Sequence, residues 1–347
     1  MPEAASEQLF GMRRLARPLL AGLDGGSTKT RLLIADANGS ILGHAAGGPS
    51  NCGIVSSDRL AGNFENIFGA AARKVGTTSL DFVCIGSAGV CQPSDFSSLE
   101  AIMRQVASVK LGQLRVETDA MIGLVGGVGR TDGIVLIAGT GSVCFGRTPD
   151  GRTWQAGGRD HLVDDHGSAY GIAREGLVAA VRAADGRGPA TALQDRLFKA
   201  LGIGSLLEII RRLHYPDSRQ PVVDKTYLAG LAPHVFACAR EGDAVAAAIV
   251  EREVNELVHM VDVVARKLEW PDEAVPLVLI GSVANHAEVR SVLASKLQLL
   301  CPRLQIVRPI LSPQGGALLL AAKLAGIEIG PEFVANIKKG EEALVAS

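Results

Sequence analysis

Residues 20–28 read Leu-Ala-Gly-Leu-Asp-Gly-Gly-Ser-Thr, an apolar strand-like run that leads into a glycine-rich turn. Residues 134–142 read Ile-Val-Leu-Ile-Ala-Gly-Thr-Gly-Ser and follow the same plan. After each turn come a second strand-like run, a turn that contains Asn38-Gly39 or Asp150-Gly151, and a third strand-like run. Such self-similarity predicts two related halves, each opening with three strands, and a cleft between them.

Strand-like and helix-like segments alternate through the rest of the first half. Apolar residues at spacings of three and four predict a helix over residues 57–74, and a second helix is expected over residues 95–106. Short β-rich runs at 81–85 and 113–117 predict strands. This alternation is typical of a layered α/β domain.

The pattern divides the chain into consecutive segments. We expect a flexible N-terminal arm over residues 1–18 and a first lobe over 19–130. A second lobe is expected over 131–330, with a helical insertion at about 168–270. The Lys- and Glu-rich tail, 331–347, is expected to pack weakly.

Composition narrows the class of partner. The 347 residues include 41 glycines and carry a net charge of -1, so the chain lacks the basic excess typical of nucleic-acid binding. No apolar run approaches the about 20 residues of a membrane span, and we expect no membrane partner. The six cysteines are scattered without a Cys-x-x-Cys pair, which favours a reducing cytoplasm.

The two glycine-rich turns are candidate phosphate-binding loops. Glycine lets backbone N–H groups approach an anion closely, and the neighbouring hydroxyls add donors. One such turn alone is more often an ordinary tight hairpin, but two in matching positions favour a pair that grips one nucleotide. Neither turn has the spacing of a P-loop or of a dinucleotide-binding loop. The candidate residues are Gly25, Gly26, Ser27, Thr28 and Lys29 in the first turn and Gly139, Thr140, Gly141 and Ser142 in the second.

Several motifs in this order resemble those of one known family. They are residues 23–30 (Leu-Asp-Gly-Gly-Ser-Thr-Lys-Thr), 48–51 (Gly-Pro-Ser-Asn), 118–120 (Thr-Asp-Ala), 137–142 (Ile-Ala-Gly-Thr-Gly-Ser), 165–170 (Asp-His-Gly-Ser-Ala-Tyr), 279–283 (Leu-Ile-Gly-Ser-Val) and 313–317 (Pro-Gln-Gly-Gly-Ala). Together they resemble sugar kinases of the actin/hexokinase/Hsp70 superfamily, in particular the N-acetylglucosamine and glucosamine kinases among the BadF/BadG/BcrA/BcrD ATPases. The resemblance implies an α/β fold of two duplicated, ribonuclease H-like lobes with ATP between them.

The resemblance also implies an activity and a set of site residues. The activity is ATP- and Mg²⁺-dependent phosphorylation of an amino-sugar hydroxyl, at the 6-position, by a cytoplasmic homodimer. Asp24 would hold the Mg²⁺ through water, and Gly281 and Ser282 would lie against the adenosine. The implied sugar contacts are Asn51, Asp119, Gly158 and Asp165.

Asp119 is the candidate catalytic base. From the residues alone it fits equally a base at a strand-to-helix junction and an N-terminal helix cap, since Thr118 and Asp119 are both capping residue types. The match to the family's Thr-Asp-Ala favours the base, because phosphoryl transfer to a hydroxyl needs a group that orients the nucleophile and accepts its proton.

One segment departs from the family pattern. Arg159 and Asp160 stand where relatives have Trp-Gly, and His166 stands where they have Glu. A guanidinium there would suit a carboxylate, so an acidic sugar is an alternative substrate. The His and Asp residues of 159–166 also raise a divalent metal site as a rival interpretation.

Two other classes of function remain open. The dehydratase and reductase activators of the same superfamily have similar phosphate loops but hold an iron–sulfur cluster through cysteines, and these cysteines lack a cluster spacing. A non-catalytic sugar sensor would not need Asp119.

Overall fold

The computed structural model describes residues 18–215, 220–270 and 274–346. The expected N-terminal arm lies outside these residues except for Pro18. Two compact units form, one from the described residues up to Thr131 together with those from Pro309 onward, the other from Asp132 to Arg308.

Strands and helices follow in an order close to that predicted. The strands are β1 (Leu20–Gly25), β2 (Thr30–Ala35), β3 (Ile41–Gly47), β4 (Ser79–Ser87), β5 (Lys110–Thr118), β6 (Gly133–Ala138), β7 (Ser142–Arg147), β8 (Thr153–Gly157), β9 (Val275–Ile280) and β10 (Leu304–Val307). The α-helices are α1 (Ser57–Val75), α2 (Pro93–Met103), α3 (Asp119–Val128), α4 (Ala169–Ala184), α5 (Leu193–Leu201), α6 (Ile209–His214), α7 (Lys225–Ala229), α8 (Ala232–Arg240), α9 (Ala244–Leu268), α10 (Ala287–Leu300), α11 (Pro313–Leu324) and α12 (Pro331–Ala346). A short 3-10 helix, Leu206–Glu208, precedes α6.

Each unit contains a five-stranded sheet, and the two sheets have the same topology. The first has the order β3-β2-β1-β4-β5 and the second, read in the same sense, β8-β7-β6-β9-β10. In each, the first strand pairs antiparallel with the second and parallel with the fourth, and the fifth lies parallel to the fourth. The duplication predicted from the sequence repeat is therefore confirmed.

Strand β1 is buried on both faces, as its continuous apolar run predicts. Ala21 and Leu23 belong to the core shared with α1. Gly22 faces α11, where a Cβ atom on it would lie 2.5 Å from the Leu318 amide nitrogen. Since side chains alternate along a strand, Asp24 points to the same face as Gly22.

Helices α3 and α11 pack backbone against backbone through glycines. A Cβ atom on Gly316 would lie 2.1 Å from the Ile122 carbonyl oxygen and 2.4 Å from the Gly126 amide nitrogen. A Cβ atom on Gly126 would lie 2.4 Å from the Ser312 carbonyl oxygen. The helices can be this close only because neither carries a side chain there.

The C-terminal region differs from the sequence expectation in two ways. The sequence pattern places residues 309–330 in the second lobe, but they belong to the first unit, because α11 packs on β1, β4 and α3. The composition of the tail predicts weak packing, but α12 buries Phe333 and Ile337, and Glu341 accepts a hydrogen bond from the Ser312 amide at 3.1 Å. Local composition did not reveal this apolar face.

The second unit carries six α-helices, α4 to α9, between β8 and β9 among the described residues. Helix α9 packs against β6, β7 and β8, so the helical region shares one core with the sheet. Across the described ranges, none of the helices combines the length and apolar composition that a membrane span requires.

Replacing glycine by alanine should change the stability of the protein in opposite directions inside and outside the α3–α11 contact. Gly316→Ala should lower the free energy of unfolding by about 1–3 kcal/mol, because the added methyl group forces two backbones apart. Gly62→Ala in α1, where a Cβ atom meets nothing within 4 Å, should raise it by up to about 1 kcal/mol through helix propensity. Urea unfolding of both variants measures the difference, and equal effects would contradict the close contact.

Candidate functional site

Two carboxylates lie where the parallel strands of the first sheet end. Asp24 is opposite Gly86 of β4, and Gly86 is opposite Glu117 of β5. Asp119 follows one residue after β5 and begins α3. In open α/β sheets, ligands bind outside the carboxyl ends of the strands, so this edge is the expected place for a site.

The structure shows which residue caps helix α3. Thr118 is the N-cap of α3, and its hydroxyl accepts a hydrogen bond from the Met121 amide at 3.0 Å. Asp119 is half-buried in the first turn, where its Oδ1 accepts from the Ala120 amide at 2.8 Å. Thr118 is thus the N-cap of α3, and one oxygen of the Asp119 carboxylate also binds a backbone amide of the first turn. The function of Asp119 as a catalytic base stays a prediction.

Both carboxyl groups hold their protons more tightly than ordinary aspartates. Burial, and next the negative charge of Asp119, raise the pKa of Asp24 to about 6. Burial also raises the pKa of Asp119, opposed by hydrogen bonds from backbone amides. Asp24 is therefore mostly ionised at neutral pH, at a free-energy cost that an approaching cation would relieve.

The first turn, residues 25–29, is held by neighbouring segments of the same unit. Gly26 donates to the Lys29 carbonyl at 3.1 Å, and Ser50 donates to the Gly26 carbonyl at 3.0 Å. The Asn51 side-chain amide donates to the Ser27 hydroxyl at 2.8 Å. Asn51, the predicted sugar contact, is thus tied directly to the predicted phosphate loop.

A glycine allows Asn51 to take this position. Gly89 has a φ of 84°, and a Cβ atom on it would lie 2.2 Å from the Asn51 Oδ1 atom. That Oδ1 atom accepts from the Gly53 amide at 2.9 Å. Both the backbone conformation and the close approach require glycine at position 89.

The second turn, residues 139–142, is a shorter hairpin that rests on the start of α4. Gly139 donates to the Gly141 carbonyl at 2.9 Å, and Ala169, the first residue of α4, donates to the Gly139 carbonyl at 2.8 Å. The Ser142 hydroxyl donates to the His166 carbonyl at 2.6 Å.

Asp165 holds the second turn through a hydrogen bond to the backbone. Its side chain is buried, its φ is 65°, and its Oδ1 accepts from the Ser142 amide at 3.0 Å. Its Oδ2 lies 2.5 Å from the Lys225 Nζ atom. Contact with a sugar stays a prediction for Asn51, Gly158 and Asp165, but both oxygens of the Asp165 carboxylate are already engaged with the protein.

Glu253 of α9 is a second buried support. It is fully buried, and its Oε2 accepts from the Gly167 amide at 2.6 Å. Its Oε1 lies 3.3 Å from the Nδ1 atom of His166, one of the residues that depart from the family pattern. His166 therefore faces a buried carboxylate of the long helix.

The predicted adenosine segment adjoins the second turn. Gly281 has a φ of 97°, and a Cβ atom on it would lie 2.3 Å from the Ala138 carbonyl oxygen. Ser282 is exposed. Gly158, with a φ of 73°, packs against Val143, which follows the turn.

Each unit thus gathers its own part of the predicted site. The first brings together Asp24, the first turn, Asn51 and Asp119. The second brings together the second turn, Gly158, Asp165 and the segment of Gly281 and Ser282. Within the described ranges, no three His, Cys, Asp or Glu side chains are grouped to hold a metal ion, the 159–166 segment included.

A comparison with protein-family models identifies the family of the chain. Residues 21–321 match the BadF/BadG/BcrA/BcrD ATPase family. The chain belongs to this family. The match spans both sheets and both glycine-rich turns.

Named relatives of this ATPase family member are kinases. It is 30% identical over 267 residues to an N-acetylmuramic acid/N-acetylglucosamine kinase of Clostridium acetobutylicum, covering 76% of this chain and 85% of the relative. It is 27% identical to an N-acetyl-D-glucosamine kinase of Dictyostelium discoideum, covering 88% and 98%.

Solved structures share the fold. A candidate N-acetylglucosamine kinase from Chromobacterium violaceum matches with a TM-score of 0.69 at 24% identity, covering 87% of this chain and 98% of its own. A ROK family glucokinase from Streptomyces griseus, in complex with glucose and AMPPNP, matches with a TM-score of 0.51 at 17% identity, covering 88% and 99%. The expected α/β, actin/hexokinase-like fold of this family member is confirmed.

Sequence reasoning missed two residues of the second unit, Lys225 and Glu253. Glu253 stands on the apolar face of α9, four residues from both Ile249 and Leu257, and an acidic residue on such a stripe signals a buried partner. Lys225 carries no such signal, because it lies in a short helix far along the chain from Asp165, which it contacts.

The raised pKa of Asp24 predicts a pH-dependent gain in stability on its removal. Because the folded state favours the protonated carboxyl, the cost of ionisation is absent below about pH 4 and complete above about pH 6. Asp24→Asn should therefore raise the midpoint of thermal unfolding at pH 7.5, with a gain that vanishes at pH 4. Asp119→Asn should act in the same direction.

Asp150 provides a control, because its pKa is lowered and its removal should change stability in the opposite direction. Hydrogen bonds from Thr148 and Arg152 lower the pKa of this exposed carboxyl, so Asp150→Asn should lower the midpoint at pH 7.5. A loss of stability in Asp24→Asn at pH 7.5 would contradict the assigned environment.

Proposed function

We propose that this chain is an ATP-dependent amino-sugar kinase that transfers the γ-phosphoryl group to a sugar hydroxyl, the 6-hydroxyl. The proposal rests on one observation above all: two carboxylates with raised pKa values lie at the carboxyl edge of a sheet, beside a glycine-rich turn. The names of the relatives in Clostridium acetobutylicum and Dictyostelium discoideum support the amino-sugar class.

Asp119 acts as the general base in this proposal. A carboxylate with a raised pKa is a better proton acceptor than an ordinary one, and its place at the start of α3 fixes its direction. It orients the attacking hydroxyl and takes its proton as the bond from the sugar oxygen to the γ-phosphorus forms and the bond from that phosphorus to the bridging oxygen breaks, which releases ADP. Asn51, tied to Ser27, and Gly158 are proposed to contact the other sugar hydroxyls.

Asp24 is proposed to hold Mg²⁺ through water. Its carboxylate is ionised above its pKa of about 6 and is the oxygen donor that Mg²⁺ prefers. When bound, Mg²⁺ neutralises phosphate charge. The first turn offers backbone N–H groups and the hydroxyls of Ser27 and Thr28, and Lys29 is exposed beside them.

The second unit is proposed to bind the rest of the nucleotide. Its turn at 139–142 offers backbone N–H groups to phosphate. Gly281, which lies against Gly139 of that turn, and the exposed Ser282 next to it are proposed to contact the adenosine. We further propose that the protein is a homodimer, by its resemblance to the sugar kinases. We propose a cytoplasmic location because all six cysteines are free thiols. Sedimentation against the 36.1 kDa chain mass tests the dimer.

A coupled ADP-release assay with Mg²⁺ tests the activity over N-acetylglucosamine, glucosamine, N-acetylmuramic acid and glucose. Amino sugars should give turnover, and NMR of the product should place the phosphate on the 6-oxygen. Asp119→Asn should lower kcat by about 10²–10⁴-fold while nucleotide affinity and folding are kept, because only the proton acceptor is lost.

Two outcomes would count against this proposal. Near-normal turnover in Asp119→Asn would remove Asp119 from the mechanism. ATP hydrolysis without a phosphorylated sugar across the whole panel would favour an activator ATPase.

A second candidate substrate is an amino sugar that carries a carboxylate. Arg159 is exposed, and among the described residues its guanidinium has no hydrogen-bond or ion-pair partner. The loop around it is fixed, since the Arg159 amide donates to Asp164 at 3.0 Å and Asp160 has a φ of 81°. The relative in Clostridium acetobutylicum is named for such an acidic sugar.

Arg159→Gln should therefore change substrate preference. The ratio of kcat/KM for N-acetylmuramic acid to that for N-acetylglucosamine should fall by about 10- to 100-fold, because a charge-assisted hydrogen bond to the carboxylate is lost. Arg152→Gln, at an exposed arginine already paired with Asp150, should leave the ratio unchanged. An unchanged ratio in Arg159→Gln would reject the acidic-sugar candidate.

A further inference from the structure

A lysine of the helical insertion stands beside the second turn. We propose that Lys225 binds a phosphate group of the nucleotide together with that turn, so that the insertion supplies a cation to the ATP site. The inference rests on the proposed function only in that it requires a nucleotide at residues 139–142.

The geometry places the ammonium group at the turn itself. The Lys225 Nζ atom would lie 3.1 Å from a Cβ atom on Gly141, and it lies 2.5 Å from the Asp165 Oδ2 atom. The Lys225 side chain is 22% exposed, whereas Asp165 is 3% exposed. An anion from solvent can therefore reach the Lys225 ammonium group but not the buried Asp165 carboxylate.

Helix α7 fixes the position of this lysine. Asp224 caps the helix by accepting from the Tyr227 amide at 2.8 Å. The Tyr227 hydroxyl donates to the Ala200 carbonyl of α5 at 3.2 Å, and the Arg212 guanidinium lies 5.0 Å from the centre of the Tyr227 ring. These contacts hold the backbone at position 225 before any ligand arrives.

The chemistry of the ammonium group suits two partners at once. It has three donors, and Asp165 occupies one side of it. Asp165 also accepts from the Ser142 amide, so the carboxylate aligns both the turn and the lysine. A phosphate held by the turn would place its oxygens next to the remaining donors, where charge-assisted hydrogen bonds are strong.

The competing explanation is that Lys225 only neutralises Asp165. The two explanations differ in a double substitution. If neutralisation is its only function, then Lys225→Met combined with Asp165→Asn removes both charges and should restore nucleotide affinity. If Lys225 binds phosphate, the double variant still lacks the cation and should bind as weakly as Lys225→Met.

Calorimetric titration with MgADP and MgAMPPNP, without sugar, measures this difference. We expect Lys225→Met to weaken MgAMPPNP at least ten-fold, Lys225→Arg to bind within a few-fold of the unchanged protein, and the double variant to stay weak. Lys199→Met, at an exposed lysine of α5, is the matched control and should bind normally. Urea unfolding of each variant shows whether a loss of affinity follows a loss of folding.

Three results would overturn the inference. Affinity of folded Lys225→Met within two-fold of the unchanged protein would do so, as would recovery in the double variant. Absence of nucleotide binding by the unchanged protein would overturn the proposed function as well, whereas normal binding by both proteins would overturn this inference alone.

Discussion

Backbone packed directly against backbone is the constraint on which both parts of the site depend. In the second unit, the Ala138 carbonyl accepts from the Val283 and Ala284 amides, and Gly281 lies where a Cβ atom would be 2.3 Å from its oxygen. In the first unit, α11 lies on Gly22 of β1 at a similarly short distance. A side chain at either position would displace the strand end from which a predicted phosphate-binding turn begins, so both positions require glycine.

The two units use buried acidic groups in different ways. Burial makes both Asp24 and Asp119 costly to ionise, and the charge of Asp119 adds to the cost at Asp24, so each keeps an affinity for a proton or a cation. Asp165 instead has a lysine and a backbone amide as partners, which satisfies its charge within the protein. The first arrangement suits groups that react or bind metal, and the second suits a group that holds a loop.

The features that could be predicted from the sequence are those that depend on residues close together in the chain. Apolar runs, Gly-rich turns and the internal repeat predicted both sheets and both turns, because each depends on neighbours in the chain. The packing of α11 on the first sheet could not be predicted this way, since an apolar helix carries no mark of the sheet that it will cover. The contact of Lys225 with Asp165 and that of Glu253 with Gly167 join residues far apart in sequence, and only the folded chain brings them together.

The two turns occupy matching positions in the duplicated sheets, but different segments of the chain support them. The first turn is held by nearby segments, through Ser50, Asn51 and the Ala88 amide, which donates to the Gly25 carbonyl at 2.8 Å. The second turn and the segment beneath it are held by α4, α7 and α9, all in the helical region. Because only the second unit carries that region, its turn can be adjusted by residues outside the duplicated sheet, without changing the strands that both units need. The helical insertion thus gives one copy of a repeated fold an independent means of shaping its glycine-rich turn.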